Sequence, residues 1–115
     1  MNYWIMPGLK EKTLSPMQLR VEKYLEFKLE PRIHNKRKKL GDSDAKAFKK
    51  TIVGRVFRKL GYSWGEVRDL LMYRNHTSIL HNIKHLSAEL EYNLDKAKLV
   101  EQEEKKCMDI VGFYL

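Results

Sequence analysis

Residues 73–86 read YRNHTSILHNIKHL, a polar beginning that runs into a periodic apolar pattern. The first part carries side chains that can hydrogen-bond to base edges: Asn75, His76, Thr77 and Ser78. Further on, Ile79, Ile83 and Leu86 have the spacing of one buried helical face. A helix-turn-helix protein places such a helix in the major groove, with the N-terminal residues against the bases. The pattern therefore predicts a DNA-reading helix.

The residues before this helix have the form of a first helix and a turn. Ser63-Trp64-Gly65-Glu66 matches a capping box, in which the Ser and Glu side chains satisfy free amides at a helix start. It predicts a helix over Trp64–Met72 that buries Val67, Leu70 and Leu71. Tyr73-Arg74-Asn75 would be the turn, with Asn75 as N-cap of the reading helix. We expect Arg74 and Lys84 to flank the bases, near phosphates.

The run RNHTSILH at 74–81, followed by Lys84-His85-Leu86, resembles the signature of the C-terminal DNA-binding domain of the bacterial replication initiator DnaA. The resemblance covers about Met17 to Leu90. It implies a helix-turn-helix domain, double-stranded DNA as partner, and a role in replication initiation or its control. It also implies that a basic loop lies on the DNA backbone or in an adjacent minor groove, through Lys36, Arg37, Lys38 and Lys39.

This chain departs from the family pattern at informative positions. Asn75 stands where the family usually has Asp, and Asn and Asp recognise different base edges. Ser78 replaces the family's second Thr. No Gly-x-x-x-x-Gly-Lys-Ser/Thr segment, which would bind nucleotide phosphates, occurs in the sequence. We therefore expect a free-standing DnaA-like domain, not an initiator.

The formal net charge of +8 suits an anionic partner, although it does not separate DNA from RNA or an anionic membrane. Residues 32–60 carry eleven basic side chains against two acidic ones, whereas residues 87–106 carry six acidic against four basic. This distribution predicts phosphate binding at one end of the molecule only. We expect the charges of Lys36–Lys39 to contact phosphate, with a solvated charge run as the alternative.

Several function classes find no support in the residues. The single Cys107 excludes an internal disulfide and the four-cysteine zinc modules. His81 and His85 have metal-pair spacing without a matching third ligand, so we expect surface histidines and no metal. No nucleophile–base constellation is legible, which predicts no enzyme, no cofactor and no small-molecule substrate. Neither a membrane-length apolar run nor a signal peptide is present, so we expect a cytoplasmic protein without a membrane partner.

Two further helices are predicted upstream. Ser15-Pro16-Met17-Gln18 is a second capping box. It should start a helix that ends near Pro31, with inward residues Leu19, Tyr24 or Val21, Leu25 and Leu29. Asp42–Asp44 supplies a helix start for Ala45–Leu60, and Gly61 a C-cap. The inward residues of that helix should be Phe48, Ile52, Val56 and Leu60.

From Ile79 onward, apolar positions recur at alternating spacings of three and four, which is the period of a coiled coil. The pattern predicts one helix from His76 to about Met108, roughly 50 Å long. Its stripe includes Leu86, Leu90, Ala97 and Val100, interrupted by Asn93 and Glu104. It could form a homodimer seam, or it could fold back on Leu14–Leu29 and the Tyr3–Met6 arm.

The predicted fold is an all-α helix-turn-helix bundle of the Trp-repressor and DnaA C-terminal-domain type, with a long C-terminal helix. It divides into an arm at 1–14, a DNA-binding domain at 15–90 and an extension at 91–115. The favoured function is sequence-specific binding of duplex DNA. One alternative is a helical module that binds an initiator or replisome protein instead of DNA, and another is RNA binding.

Overall fold

The computed structural model describes residues 14–30 and 44–112, and within these ranges the chain is helical without a strand. The all-α prediction is confirmed. The N-terminal arm apart from Leu14, the start signal Asp42–Ser43 and the basic run Lys36–Lys39 lie outside the described residues. The helices are α1 at Pro16–Leu25, α2 at Asp44–Lys59, α3 at Trp64–Leu71, α4 at Thr77–Leu90 and α5 at Leu94–Val111.

Helix α2 is the centre of the bundle and packs against each of the other four described helices. Ile52, Val53 and Val56 are buried on it, since a central helix must be apolar around much of its circumference. The pattern predicted Ile52 and Val56, while Phe48 and Leu60 are partly buried against the same core. The helix ends before Gly61, whose φ of +98° is a left-handed conformation that glycine adopts without steric cost.

Gly54 on α2 faces both helices of the predicted reading unit, α3 and α4. A Cβ atom at this position would lie 3.1 Å from Ile83 Cδ1 and 3.3 Å from Ile79 Cγ2, both on α4. It would also lie 3.7 Å from Val67 Cγ1 on α3. The missing side chain therefore lets α4 approach α2 closely, although glycine inside a helix costs about 1 kcal/mol relative to alanine.

Helix α1 begins as predicted and ends earlier. Ser15 and Gln18 form the reciprocal hydrogen bonds of the capping box. The helix stops at Leu25 rather than near Pro31, because Glu26 adopts a left-handed conformation at φ 67° and donates its N–H to Glu22 O. Leu19, predicted to point inward, is 51% exposed, whereas Val21 and Tyr24 are both fully buried.

The prediction of a single C-terminal helix from His76 to Met108 is wrong. The chain turns at Glu91–Asn93, and Asn93 Oδ1 accepts the Lys96 N–H at 3.0 Å as the N-cap of α5. Helix α5 then packs on α1 and α2 of the same chain. The apolar stripe points into this core, where Val100 and Glu104 are buried. The alternative in which the stripe folds back on α1 is therefore confirmed, while its contact with the Tyr3–Met6 arm lies outside the described residues. A long C-terminal helix is confirmed, beginning at Leu94.

Candidate nucleic-acid interface

Helices α3 and α4 and the five residues between them form the predicted two-helix unit. Ser63 Oγ accepts the Glu66 N–H at 3.1 Å and Glu66 Oε1 accepts the Ser63 N–H at 2.8 Å, so the capping box that starts α3 is confirmed. Val67, Leu70 and Leu71 are buried as predicted. The first helix of the unit is therefore fixed at its start by its own sequence and along its length by the core.

The turn after α3 is anchored before the polar residues begin. Met72 adopts a left-handed conformation at φ 61° and donates its N–H to the carbonyls of Arg68 and Asp69. Tyr73 follows and is buried, and Lys50 Nζ of α2 lies 5.1 Å from the centre of its ring. A buried aromatic side chain at this position leaves the next residues to project outward from a fixed point.

The predicted base-reading residues all lie on the surface, together, at the start of α4. The exposed run comprises Arg74, Asn75, His76, Thr77 and Ser78. The next residue, Ile79, is buried against the core. The structure therefore brings these side chains together at one exposed end of a helix whose other face is packed.

Asn75 contributes to the helix start in a different way from the one predicted. The N-cap of α4 is His76, whose side chain makes no capping hydrogen bond. Asn75, one residue earlier, accepts the Thr77 N–H at Oδ1 over 2.9 Å. Its amide nitrogen remains available as a donor, and Oδ1 has a second lone pair. The side chain therefore stabilises the first turn while staying exposed.

The exposed face of α4 continues past the predicted reading residues. His81, Lys84 and His85 lie on the surface, one and two turns beyond Thr77 and Ser78. Neither Lys84 nor Arg74 forms an ion pair with another residue of ranges 14–30 and 44–112. His81 and His85 were expected only as surface residues. Their spacing of four and eight residues from Thr77 places them on the same face of α4 as the predicted reading residues.

An open groove of about 350 Å³ runs beside this face, between α4 and α2. His81 and His85 line one side and Phe48 and Thr51 the other, while Lys96 and Glu89 form an ion pair at 3.0 Å at its edge. Across the described residues, no group of three or more His, Cys, Asp or Glu side chains could hold a metal ion. The histidine rings stand 6.2 Å apart, centre to centre.

Two glutamates of α5 form ion pairs with three of the six basic side chains on α2. Glu104, only 6% exposed, accepts from Arg55 Nε and from Lys59 Nζ, each at 2.7 Å. Lys49 Nζ lies 4.0 Å from Glu103 and donates to the Tyr24 carbonyl. The expectation of a basic end separate from an acidic end is wrong for this part of the chain, because the two segments pack against each other.

The aromatic residues near α3 belong to the core. Phe57 and Tyr62 pack edge to face at 4.9 Å. The Arg58 guanidinium lies 4.3 Å above the Trp64 ring and donates to the Tyr62 carbonyl at 2.8 Å. Arg58 is therefore tied to Tyr62 and Trp64 although it stays exposed.

No protein-family model matches this chain, and searches of curated proteins and of solved structures likewise find no match. No helix within the described ranges is long and apolar enough to cross a membrane.

Proposed function

We propose that this chain binds double-stranded DNA by placing α4 in the major groove. The observation that carries the proposal is the exposed polar start of α4, which follows a capped helix and an anchored turn. Asn75, Thr77 and Ser78 would contact base edges, and His76 would contact a base or an adjacent phosphate. This arrangement needs no catalytic group, cofactor or small-molecule substrate.

Backbone contacts would come from basic residues on either side of the reading residues. Arg74 precedes them and Lys84 lies two turns along α4, both exposed. Lys36, Arg37, Lys38 and Lys39 would add contacts on the DNA backbone or in the neighbouring minor groove, as the resemblance to the initiator domain implies. That resemblance also supports a role in replication initiation or its control, in the cytoplasm of a bacterial cell.

Fluorescence anisotropy tests the proposal with labelled duplex DNA and RNA of matched sequence at two salt concentrations. We expect tighter binding to duplex DNA, weakening steeply as salt rises, because phosphate contacts release counterions. Changing Arg74 and Lys84 to Gln should flatten the slope of log K against log salt by about 0.9 for each phosphate that is no longer neutralised. The matched control changes Lys105 and Lys106, exposed on α5, to Gln and should leave the slope unchanged.

A protein-interaction role is the second candidate, and one observation favours it. Tyr92 and Leu94 are 78% and 72% exposed at the turn between α4 and α5, where an apolar pair faces solvent without cover from the described residues. A partner such as an initiator or replisome protein could cover this pair. Absence of duplex binding at low salt would favour this role, whereas stronger binding to RNA than to duplex DNA would favour an RNA-binding role.

A further inference from the structure

Arg55 joins three helices through a single side chain. From its place on α2, its Nε donates to Glu104 Oε2 on α5 at 2.7 Å. Its Nη1 donates to Ser87 Oγ on α4 at 2.9 Å. Because the guanidinium is planar and its donors are fixed relative to each other, the ion pair with Glu104 also determines where the arm toward Ser87 points.

Arg55 and its neighbour Gly54 hold α4 at two separate points. At Gly54, α2 meets Ile79 and Ile83 in the first half of α4. At Arg55, it meets Ser87, one turn beyond Ile83. A helix behaves as a short rod, so a packing contact and a hydrogen bond at different points along it together determine its direction.

We infer that Arg55 is a positioning residue for DNA recognition, which sets the direction of α4 through Ser87. The inference rests on the proposed function, because the direction of α4 determines how its polar start enters the groove. It assigns the acidic helix α5 a part in recognition, since Glu104 orients the guanidinium that holds α4. Residues 91–112 then belong to the binding domain rather than to a separate extension.

The chain offers variants that separate positioning from stability. Ser87→Ala removes the acceptor on α4 and leaves the Arg55–Glu104 pair intact, while Ser87→Thr keeps the hydroxyl. Arg55→Lys keeps a charge for Glu104 and removes the second arm. Lys59→Gln is the matched control, because Lys59 donates to the same Glu104 from a half-exposed position and reaches α5 rather than α4.

The experiment selects a preferred duplex from a random library with the wild type, then measures each variant on that duplex and on an unrelated one. Ser87→Ala and Arg55→Lys should bind the selected duplex roughly tenfold more weakly, which is the cost of about one misplaced base contact. Their binding to the unrelated duplex should weaken less, since phosphate contacts carry no sequence information and most of them lie outside α4. Ser87→Thr should restore the wild-type ratio of affinities for the selected and the unrelated duplex. Lys59→Gln should leave the ratio unchanged even where it lowers the melting temperature.

Amide hydrogen exchange of the free proteins supplies a readout that needs no DNA. Exchange over Lys84–Leu90 should accelerate in Ser87→Ala relative to Lys59→Gln, since only the first variant removes the hydrogen bond that ties this half of α4 to α2. Wild-type protein that binds no duplex would reject the proposed function, and the exchange result would still decide the positioning role. Wild-type binding together with an unchanged ratio and unchanged exchange in Ser87→Ala would overturn the inference alone.

Discussion

At the scale of single residues, Asn75 carries the clearest prediction about specificity. Asn can contact adenine through N6 and N7, whereas Asp only accepts hydrogen bonds, for example from the cytosine amino group. We expect the wild type to prefer a site with adenine at the position where an initiator-type site has cytosine. The methyl group of Thr77 would lie against a neighbouring thymine. Asn75→Asp should move the preference toward cytosine, with about 1–3 kcal/mol of discrimination at stake.

The structure makes Asn75→Asp a well-matched substitution. An aspartate oxygen can accept the Thr77 N–H as Asn75 Oδ1 does, so the start of α4 should remain capped. Selection from a random duplex library, run with both proteins, measures the change. Recovery of the same motif from both would show that Asn75 stabilises the helix start without reading a base.

The buried thiol of Cys107 leads to a prediction about how folding stability depends on pH. Burial, followed by the nearby Glu104 and Glu103 carboxylates, raises the pKa of its thiol to about 12. Burial and a hydrogen bond to Glu103 also raise the pKa of the Tyr24 hydroxyl. The folded chain therefore keeps protons that the unfolded chain releases at lower pH, and the resulting stability is lost as pH rises.

We expect the free energy of unfolding to fall between about pH 9 and pH 12, as urea denaturation at a series of pH values would measure. Cys107→Ala removes one of the two raised groups and should make this fall less steep, although the small cavity lowers stability at every pH. An equally steep fall in Cys107→Ala would assign the pH dependence to other groups.

At the scale of helices, the sequence predicted the boundaries that carry a capping box or a C-cap glycine, and missed others. Both capping boxes were legible because their partners lie three residues apart. The end of α1 at Glu26 was not, because Glu26 is a left-handed residue other than glycine, whereas α3 ends within one residue of the predicted Met72. Asn93 looked like a polar interruption of a continuous stripe, and its role as N-cap was indicated only by Asp95 in the next turn.

The side chain of Gln18 connects the start of α1 to the end of α3, and this contact can be tested. Its Oε1 completes the capping box of α1, while its Nε2 donates to the Leu70 carbonyl at 3.1 Å and the Asp69 carbonyl at 3.3 Å, at the end of α3. Gln18→Glu preserves the box and sets a carboxylate against those carbonyls. We expect a loss of about 1 kcal/mol in the free energy of unfolding, measured in urea.

Glu66→Gln is the control for Gln18→Glu, because Glu66 occupies the same position in the other capping box. Its amide oxygen would still accept the Ser63 N–H, so stability should change little. Equal stability of Gln18→Glu and the wild type would mean that the contacts between α1 and the end of α3 contribute nothing to the fold.

At the scale of the whole molecule, contacts between residues distant in sequence determine which side chains are buried, and the apolar pattern alone does not show them. Glu104 interrupts the apolar stripe, yet it is buried because Arg55 and Lys59 lie opposite, more than forty residues away. The exposed start of α4 was predictable because it depends on neighbouring residues. The ion pairs between α2 and α5 were not predictable, because they depend on how the helices pack.

Burial of the stripe leads to a prediction about oligomeric state. A homodimer through the C-terminal helix stays a prediction without support, because Leu86 and Val100 already lie in the core of one chain. We expect sedimentation to give a monomer at micromolar concentration. Leu90→Glu should lower the melting temperature rather than dissociate a dimer, since Leu90 packs against the core. A wild-type dimer that Leu94→Glu dissociates would place an interface on the exposed side of α5 instead.

The basic run outside the described residues carries the last prediction. Since Arg55, Lys59 and Lys49 are engaged with α5, the proposed backbone contacts rely on Arg74, Lys84 and the segment Lys36–Lys39. Changing all four residues of that segment to Ala should weaken binding to every duplex alike. The slope of log K against log salt should become flatter by about 0.9 for each phosphate that the segment neutralises in the wild type.

A second quadruple variant separates specific phosphate contacts from total charge. It changes four lysines that are exposed on α1 and α5 to Ala: Lys23, Lys98, Lys105 and Lys106. Both variants lose the same charge, so long-range attraction falls equally in both. Only the first variant should change the slope, because counterions are released where a side chain meets a phosphate. Equal slopes in the two variants would mean that Lys36–Lys39 act as a solvated charge run, and the backbone contacts would then have to come from Arg74 and Lys84.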